Sequence, residues 1–158
     1  YAAGTGSVLV SVDGGASFGA RAALATGGSS RIRSAPGREG DVWIALYGGG
    51  LARSIDSGAS FGSSPVVDYC AAIGFGAPRS EGDYPAVYIW GSVEGGPRGI
   101  YRSDDAGETF QRINDDRHQY GGPGNGQFVL GDANVYGRVF LSTAGRGLVM
   151  GELADLQP

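Results

Sequence analysis

Apolar residues along this chain come in short runs, and each run ends at glycine, serine or aspartate. "SVLVS" (7–11), "DVWIAL" (41–46), "GLARS" (50–54), "AAIGF" (71–75), "AVYIW" (86–90), "GIYRS" (99–103) and "RVFLS" (138–142) carry much of the Val, Ile, Leu, Tyr, Phe and Trp. Runs of this length between turn formers read as strands, and no stretch carries the 3.6-residue period of an amphipathic helix. The pattern predicts an all-β chain. Strands are expected near 1–3, 8–11 and 17–20, then 31–35, 42–46, 51–54 and 60–62. Further strands are expected near 69–75, 86–90, 99–103 and 109–113, and finally 127–130, 138–142 and 148–151.

One spelling recurs between the runs. Ser-x-Asp-x-Gly-x-x-Phe occurs at Ser11, Asp13, Gly15 and Phe18, at Ser54, Asp56, Gly58 and Phe61, and at Ser103, Asp105, Gly107 and Phe110. The aspartates are 43 and 49 residues apart, and the flanking strand, glycine loop and strand repeat with them. Repeats of about 40–50 residues built from short strands have the spacing of propeller blades. The predicted architecture is therefore a partial β-propeller of about three and a half four-stranded blades. It has a partial blade over 1–24, blades over 25–65 and 66–116, and an incomplete last blade over 117–158. Each box aspartate is expected to accept hydrogen bonds from the backbone N–H groups of its own turn. The glycine is expected at positive φ, and the phenylalanine inside, packed under the turn. Near-identical copies at blade spacing point to a corner that every blade needs once rather than to catalytic carboxylates.

Composition narrows the classes. Glycine supplies 31 of 158 residues, so tight turns are frequent, and 41% hydrophobic content argues against disorder. The net charge is −4, with twelve Arg and no Lys. A mildly acidic chain has no electrostatic reason to bind nucleic acid or an anionic membrane, and no apolar run is long enough to span a bilayer. The lone Cys70 excludes an internal disulfide and a cysteine-rich zinc site. With one histidine and no EF-hand spacing, neither a metal nor a cofactor is expected. The chain opens on "YAAG", already strand-like and without an initiator Met, so it reads as a piece of something longer or a processed product.

The boxes resemble the Asp-box (BNR) repeat of sialidases, sortilin-type receptors, photosystem assembly factors and several glycoside hydrolases. "YPAVYIWG" (84–91), "GIYRSDDAGETFQRINDDRHQYGG" (99–122) and "VYGRVFLSTAGRGLVMG" (135–151) together resemble the C-terminal end of family 74 glycoside hydrolases. "RIRSAPGREGDVWIAL" (31–46) and "AAIGFGAP" (71–78) fit as well, so the resemblance covers nearly the whole chain. Ala52, where the pattern commonly has an aromatic, and the looser "GNGQFVLGDANVYG" depart from it. The resemblance implies two seven-bladed propellers flanking an open cleft, and inverting cleavage of xyloglucan or a related β-1,4-glucan by a secreted enzyme. Inversion needs an acid and a base carboxyl roughly 6.5–9.5 Å apart. In the family these two aspartates lie in earlier blades, and no segment here matches the motifs around them.

Topology sorts the remaining candidates. In a propeller the loops joining strands two and three lie on one face and the box turns on the other. Tyr47, Trp90 and Tyr120 fall on the loop side and are read as substrate-binding rings, since apolar sugar faces stack on aromatics. The plainer reading makes Trp90 a core residue and Tyr120 a ring over a glycine loop. Asp115, Asp116 and His118 are the weak catalytic candidates, an acid–base cluster by type. A hydrogen-bond network is the plainer role for that histidine. Arg53 and Arg102, beside the box serines, are expected to lie partly buried against neighbouring blades. The rival to an enzyme segment is a non-catalytic Asp-box module for binding or assembly. The partners expected for such open strand edges are the remaining blades of a parent chain, or a second copy.

Overall fold

The computed structural model describes residues 1–4, 6–24, 31–118 and 128–154. Among them, fourteen strands form four antiparallel sheets that follow one another along the chain. The first holds β1 (Ala2–Gly4), β2 (Ser7–Val10) and β3 (Gly19–Ala23). The second holds β4 (Arg31–Ser34), β5 (Val42–Ala45), β6 (Leu51–Ser54) and β7 (Gly62–Ser63). The third holds β8 (Val67–Gly76), β9 (Ala86–Val93), β10 (Gly99–Ser103) and β11 (Gln111–Arg112). The fourth holds β12 (Val129–Gly131), β13 (Val139–Ser142) and β14 (Leu148–Gly151). Each sheet is a meander with strands in chain order. A box follows β2, β6 and β10, so β1–β3 correspond to the second, third and fourth strands of the middle sheets. The fourth sheet corresponds to their first three.

The sheets stack face to face in sequence order. Ile44 and Ala52 of the second sheet share a core with Val8 and Leu24. Its other face, with Trp43, Ala45 and Leu51, packs on Ile73, Phe75, Val87 and Ile89 of the third. Ala72, Tyr88, Trp90 and Ile100 then meet Val129, Val139 and Leu141 of the fourth. Both faces of the middle sheets are covered, which is why β5 and β9 read as unbroken apolar runs rather than alternating ones. First strands lie against first strands, β4 on β8 and β8 on β12. A Cβ on Gly74 would lie 2.0 Å from the Val129 carbonyl oxygen, so that approach requires glycine.

The boxes form three copies of one corner. The aspartate Oδ1 accepts the N–H of Ser17, Ser60 or Thr109 at 2.9 Å, and their hydroxyls bond the other oxygen. The box serine donates to the aspartate at 2.7 Å and accepts the N–H of the box glycine at 2.8 Å. Gly15, Gly58 and Gly107 have φ of 96°, 80° and 86°. The residue before each is also left-handed, and at Ser57 and Ala106 this costs about 1–2 kcal/mol. Capture of Ser60 and Thr109 by their aspartates explains why the fourth strands begin later than the sequence pattern suggests, at Gly62 and Gln111.

The box phenylalanines turn inward, as expected, in two of the three copies. Phe61 joins the core shared with the first sheet, and Phe110 the core shared with the second. Phe18 has no preceding sheet among the described residues and is 50% exposed.

The box glycines are seated in the same way. Gly58 lies against Tyr1, Val8 and Val10 of the first sheet, and a Cβ on Gly107 would meet Trp43 of the second at 2.4 Å. Around that contact Arg53 forks onto Asp41 at 2.6 and 3.0 Å and donates to the Ala106 carbonyl at 3.1 Å. Its guanidinium stacks over Trp43 and over Tyr84 of the third sheet, at 4.8 and 5.0 Å. Tyr84 donates to Asp41 at 2.6 Å. Burial works to raise the Asp41 carboxyl, but the bonds from Arg53 and Tyr84 hold it below its ordinary value. The next junction repeats the arrangement: Arg102 lies over Tyr136 at 5.0 Å, and Tyr136 donates to Asp104 at 2.8 Å.

Two expected outcomes follow from this packing. Gly107→Ala combines backbone strain with a clash on Trp43 and should cost about 2–4 kcal/mol. Gly15→Ala, where nothing lies within 4 Å, should cost only about 1–2 kcal/mol. Urea denaturation of both variants checks the difference. In acid, Asp56 is held at about 2 instead of 3.8, first by the Ser60 hydroxyl, and Asp13 and Asp105 are lowered too. Depressed carboxyls stabilise the fold fully above the ordinary value and lose that contribution as pH falls through the folded one. The thermal midpoint should therefore drop as pH falls from 3.8 to about 2, and Asp56→Asn should make that drop shallower.

Candidate functional site

Register places the functional candidates at one end of the sheets. The β5–β6 loop (46–50), the β9–β10 loop (94–98) and the segment after β11 share that end, and the boxes turn at the other. Tyr47 sits in the first of these loops at φ 52°. Its N–H donates to the Cys70 carbonyl at 2.7 Å and its carbonyl accepts the Cys70 N–H at 3.0 Å, which pins the loop of one sheet to β8 of the next. A Cβ on Gly50 would lie 2.2 Å from the Val67 carbonyl oxygen, so that loop closes only with glycine. Cys70 itself is buried, and burial pushes its thiol up, which leaves it unreactive.

That pin aligns a chain of rings. Tyr47 packs on Tyr69 at 6.1 Å, and Tyr69 meets Trp90 edge to face at 6.1 Å and 78°. The Arg98 guanidinium lies 4.0 Å over the Tyr69 ring. Trp90 is 9% exposed and belongs to the core between the third and fourth sheets, while Tyr47 and Tyr69 are half-buried. The surface facing solvent is therefore made by the two tyrosines and Arg98, with Trp90 behind them. Tyr69 and Arg98 were not legible as site residues in the sequence. The only available signal was that an X-Tyr-Cys segment opens a strand beside the loops. Tyr120 lies outside the described residues.

Two pairings run through the acid–base cluster. Asp115 Oδ1 accepts the backbone N–H groups of Arg117 and His118 at 3.0 and 2.9 Å and contacts His118 Nδ1 at 2.6 Å. Asp116 pairs with Arg112 at 2.8 Å. All three candidates are exposed. The His118 side-chain bond, followed by the backbone bonds, lowers the Asp115 carboxyl. A glycosidic acid must hold its proton near neutral pH, so this shift runs in the wrong direction for that role. Asp115 and His118 help line a groove of ≈ 580 Å³ between the third and fourth sheets, whose walls are Ile100, Ile113, Leu141 and Val149. The box aspartates do not converge on a pocket, because each is consumed by its own turn. Among the described residues no group of three or more His, Cys, Asp or Glu could hold a metal ion.

No protein-family profile matches the sequence. Individual proteins match it strongly. The chain is 43% identical, over its whole length, to the xyloglucanase Xgh74A of Acetivibrio thermocellus, of which it covers 18%. Its fold superposes on the GH74 enzyme of Niastella koreensis with a TM-score of 0.86 and 51% identity, covering 97% of this chain and 22% of that one. For the GH74 xyloglucanase of Xanthomonas campestris the values are 0.82 and 33%, covering 94% and 21%. The chain thus spans about a fifth of the length of these relatives. In sequence and in fold it matches the GH74 xyloglucanase family, and it covers a fragment of those larger propeller enzymes.

Proposed function

We propose that the four sheets are consecutive blades of a β-propeller, and that the chain is a C-terminal segment of a secreted, inverting xyloglucan-cleaving enzyme. The observation that carries the reading is the match over the whole chain to proteins named xyloglucanases. The repeated stacking of each sheet on the one before, box against ring, supports the blade assignment. Blade limits at 24, 65 and 116 fall between the observed sheets.

In this reading the end that carries Tyr47, Tyr69 and Arg98 lines part of the polysaccharide cleft. Tyrosine faces and edges take the apolar face of a pyranose, and the Arg98 N–H groups beside them donate to its hydroxyls. Trp90 supports the platform from behind by holding Tyr69 edge-on. The catalytic carboxyl pair belongs to other blades. The lowered Asp115 carboxyl and the pairing of Asp116 with Arg112 support that division of labour. The same facts also favour the second reading, a non-catalytic Asp-box module that binds without cutting.

Calorimetric titration with xyloglucan oligosaccharides tests the cleft assignment. Tyr69→Ala and Tyr47→Ala should each weaken binding about tenfold, equivalent to ~1.4 kcal/mol, with the thermal midpoint little changed. Trp90→Ala should instead destabilise the fold by about 3–5 kcal/mol. Unchanged affinity in both tyrosine variants would remove the rings from the cleft. Reducing-end assays on the chain alone should show no hydrolysis, whether or not Asp115 or Asp116 is changed to Asn. Hydrolysis lost in either variant would place the catalytic pair here instead.

A further inference from the structure

Among the described residues, thirteen glycines and four other residues have positive φ. Two of the four, Ser57 and Ala106, lie inside the boxes, whose bonded turns impose the conformation. Tyr47 is held at φ 52° by its bridge to Cys70. Glu94, at φ 50°, is the fourth. It opens the β9–β10 loop, "EGGPR" (94–98), where the turn itself asks only for glycine. A side chain in that conformation crowds its own backbone, so its presence there costs stability. Packing does not offset the cost. The Glu94 side chain is exposed and meets no donor or cation among the described residues. The loop around it is tied down. The Glu94 N–H donates to the Val66 carbonyl at 2.9 Å, and the Gly96 N–H to the Val93 carbonyl at 2.8 Å. The Gly95 N–H donates to Asp68 Oδ2 at 2.8 Å, and the Tyr101 hydroxyl to the Pro97 carbonyl at 2.6 Å.

Those bonds set Glu94 beside the ring platform. Tyr69 pairs with Ser92 across the β8–β9 ladder, two residues before Glu94. Arg98, at the other end of the loop, lies over the Tyr69 ring at 4.0 Å. It is exposed too, and pairs with no carboxylate among the described residues. One short, fixed loop therefore presents an acceptor and a donor next to the same aromatic ring.

We propose that Glu94 is a substrate-binding residue, whose carboxylate accepts hydrogen bonds from two adjacent hydroxyls of the sugar carried on the Tyr69–Arg98 platform. An ionised carboxylate only accepts, and its two oxygens take two donors at once. Neighbouring hydroxyls of a pyranose present two donors side by side, and bonds to a charged acceptor are the stronger kind. The ligand class is thus a neutral pyranose with an unsubstituted pair of adjacent hydroxyls. A substituent on either oxygen removes the proton that the carboxylate takes. The strained backbone at Glu94 is accounted for as well, since glycine would make the turn but not the contact. This inference rests on the cleft reading of the same end and adds the polar contact that selects among sugars.

Calorimetric titration with xyloglucan oligosaccharides, with thermal melts of the same samples, tests it. Glu94→Gly should weaken binding about tenfold, while the thermal midpoint holds or rises because glycine suits the left-handed backbone. Glu94→Gln keeps the shape and one acceptor oxygen, and should weaken binding by about threefold. That split between affinity and stability is what a merely structural glutamate would not give. A lower midpoint in Glu94→Gly would show that the side chain serves the fold, and would overturn the inference. Full affinity in Glu94→Gly beside weakened binding in Tyr69→Ala would overturn it and leave the cleft reading standing. Full affinity in Glu94→Gly and in both tyrosine variants, or no binding by the unaltered chain, would overturn the two together.

Discussion

Five hydrogen bonds inside eight residues fold each Asp-box into a fixed corner, and that corner is useful because of what it touches next. The serine hydroxyl and the carboxylate consume the turn's N–H groups, so two consecutive left-handed residues are held in place. In the third box Gly107 is then pressed on the Trp43 ring of the sheet before, and Phe110 enters the seam. A fork of Arg53 and Asp41 seals the same seam from the side, with its cation stacked between Trp43 and Tyr84. A charge pair at that depth contributes little by itself, and removal of one member strands the other. Here it also ties the second sheet to the third, through the Ala106 carbonyl and the Tyr84 hydroxyl.

Much of this was written locally. The box spelling announced its own turn, and the apolar runs gave strand positions to within a few residues. The strand beginnings that moved, at Gly62 and Gln111, moved because the aspartate captures the residue that would have joined the ladder. What could not be read was anything between sheets. Phe110 looks like the end of a turn in sequence, and only the neighbouring Trp43 shows that it belongs to a seam. Arg53 was legible as partly buried, but its partners lie 12, 31 and 53 residues away, at Asp41, Tyr84 and Ala106.

The site shows the same boundary. Tyr47 was visible because a tyrosine before three glycines stands out at a loop. Trp90 was visible for its type, yet its ring turned out to be a wall that orients Tyr69. Tyr69 was hidden inside a strand, and Arg98 was hidden in a glycine-rich loop. Their pairing depends on a backbone bridge between Tyr47 and Cys70, which no local pattern encodes. Asp115, Asp116 and His118 were grouped by proximity in sequence; in the structure Asp115 caps its own turn and contacts His118, while Asp116 pairs with Arg112.

The direction of the seams has a bearing on how such a chain is made. The boxes at Gly58 and Gly107 each land on the sheet that precedes them. During synthesis from the N-terminus, the surface that receives Gly107 is complete before Gly107 leaves the ribosome, and the same holds for Gly58. Each new corner therefore finds its seat already built, and the stack can grow vectorially, with one unsatisfied apolar face exposed at the growing end at any moment.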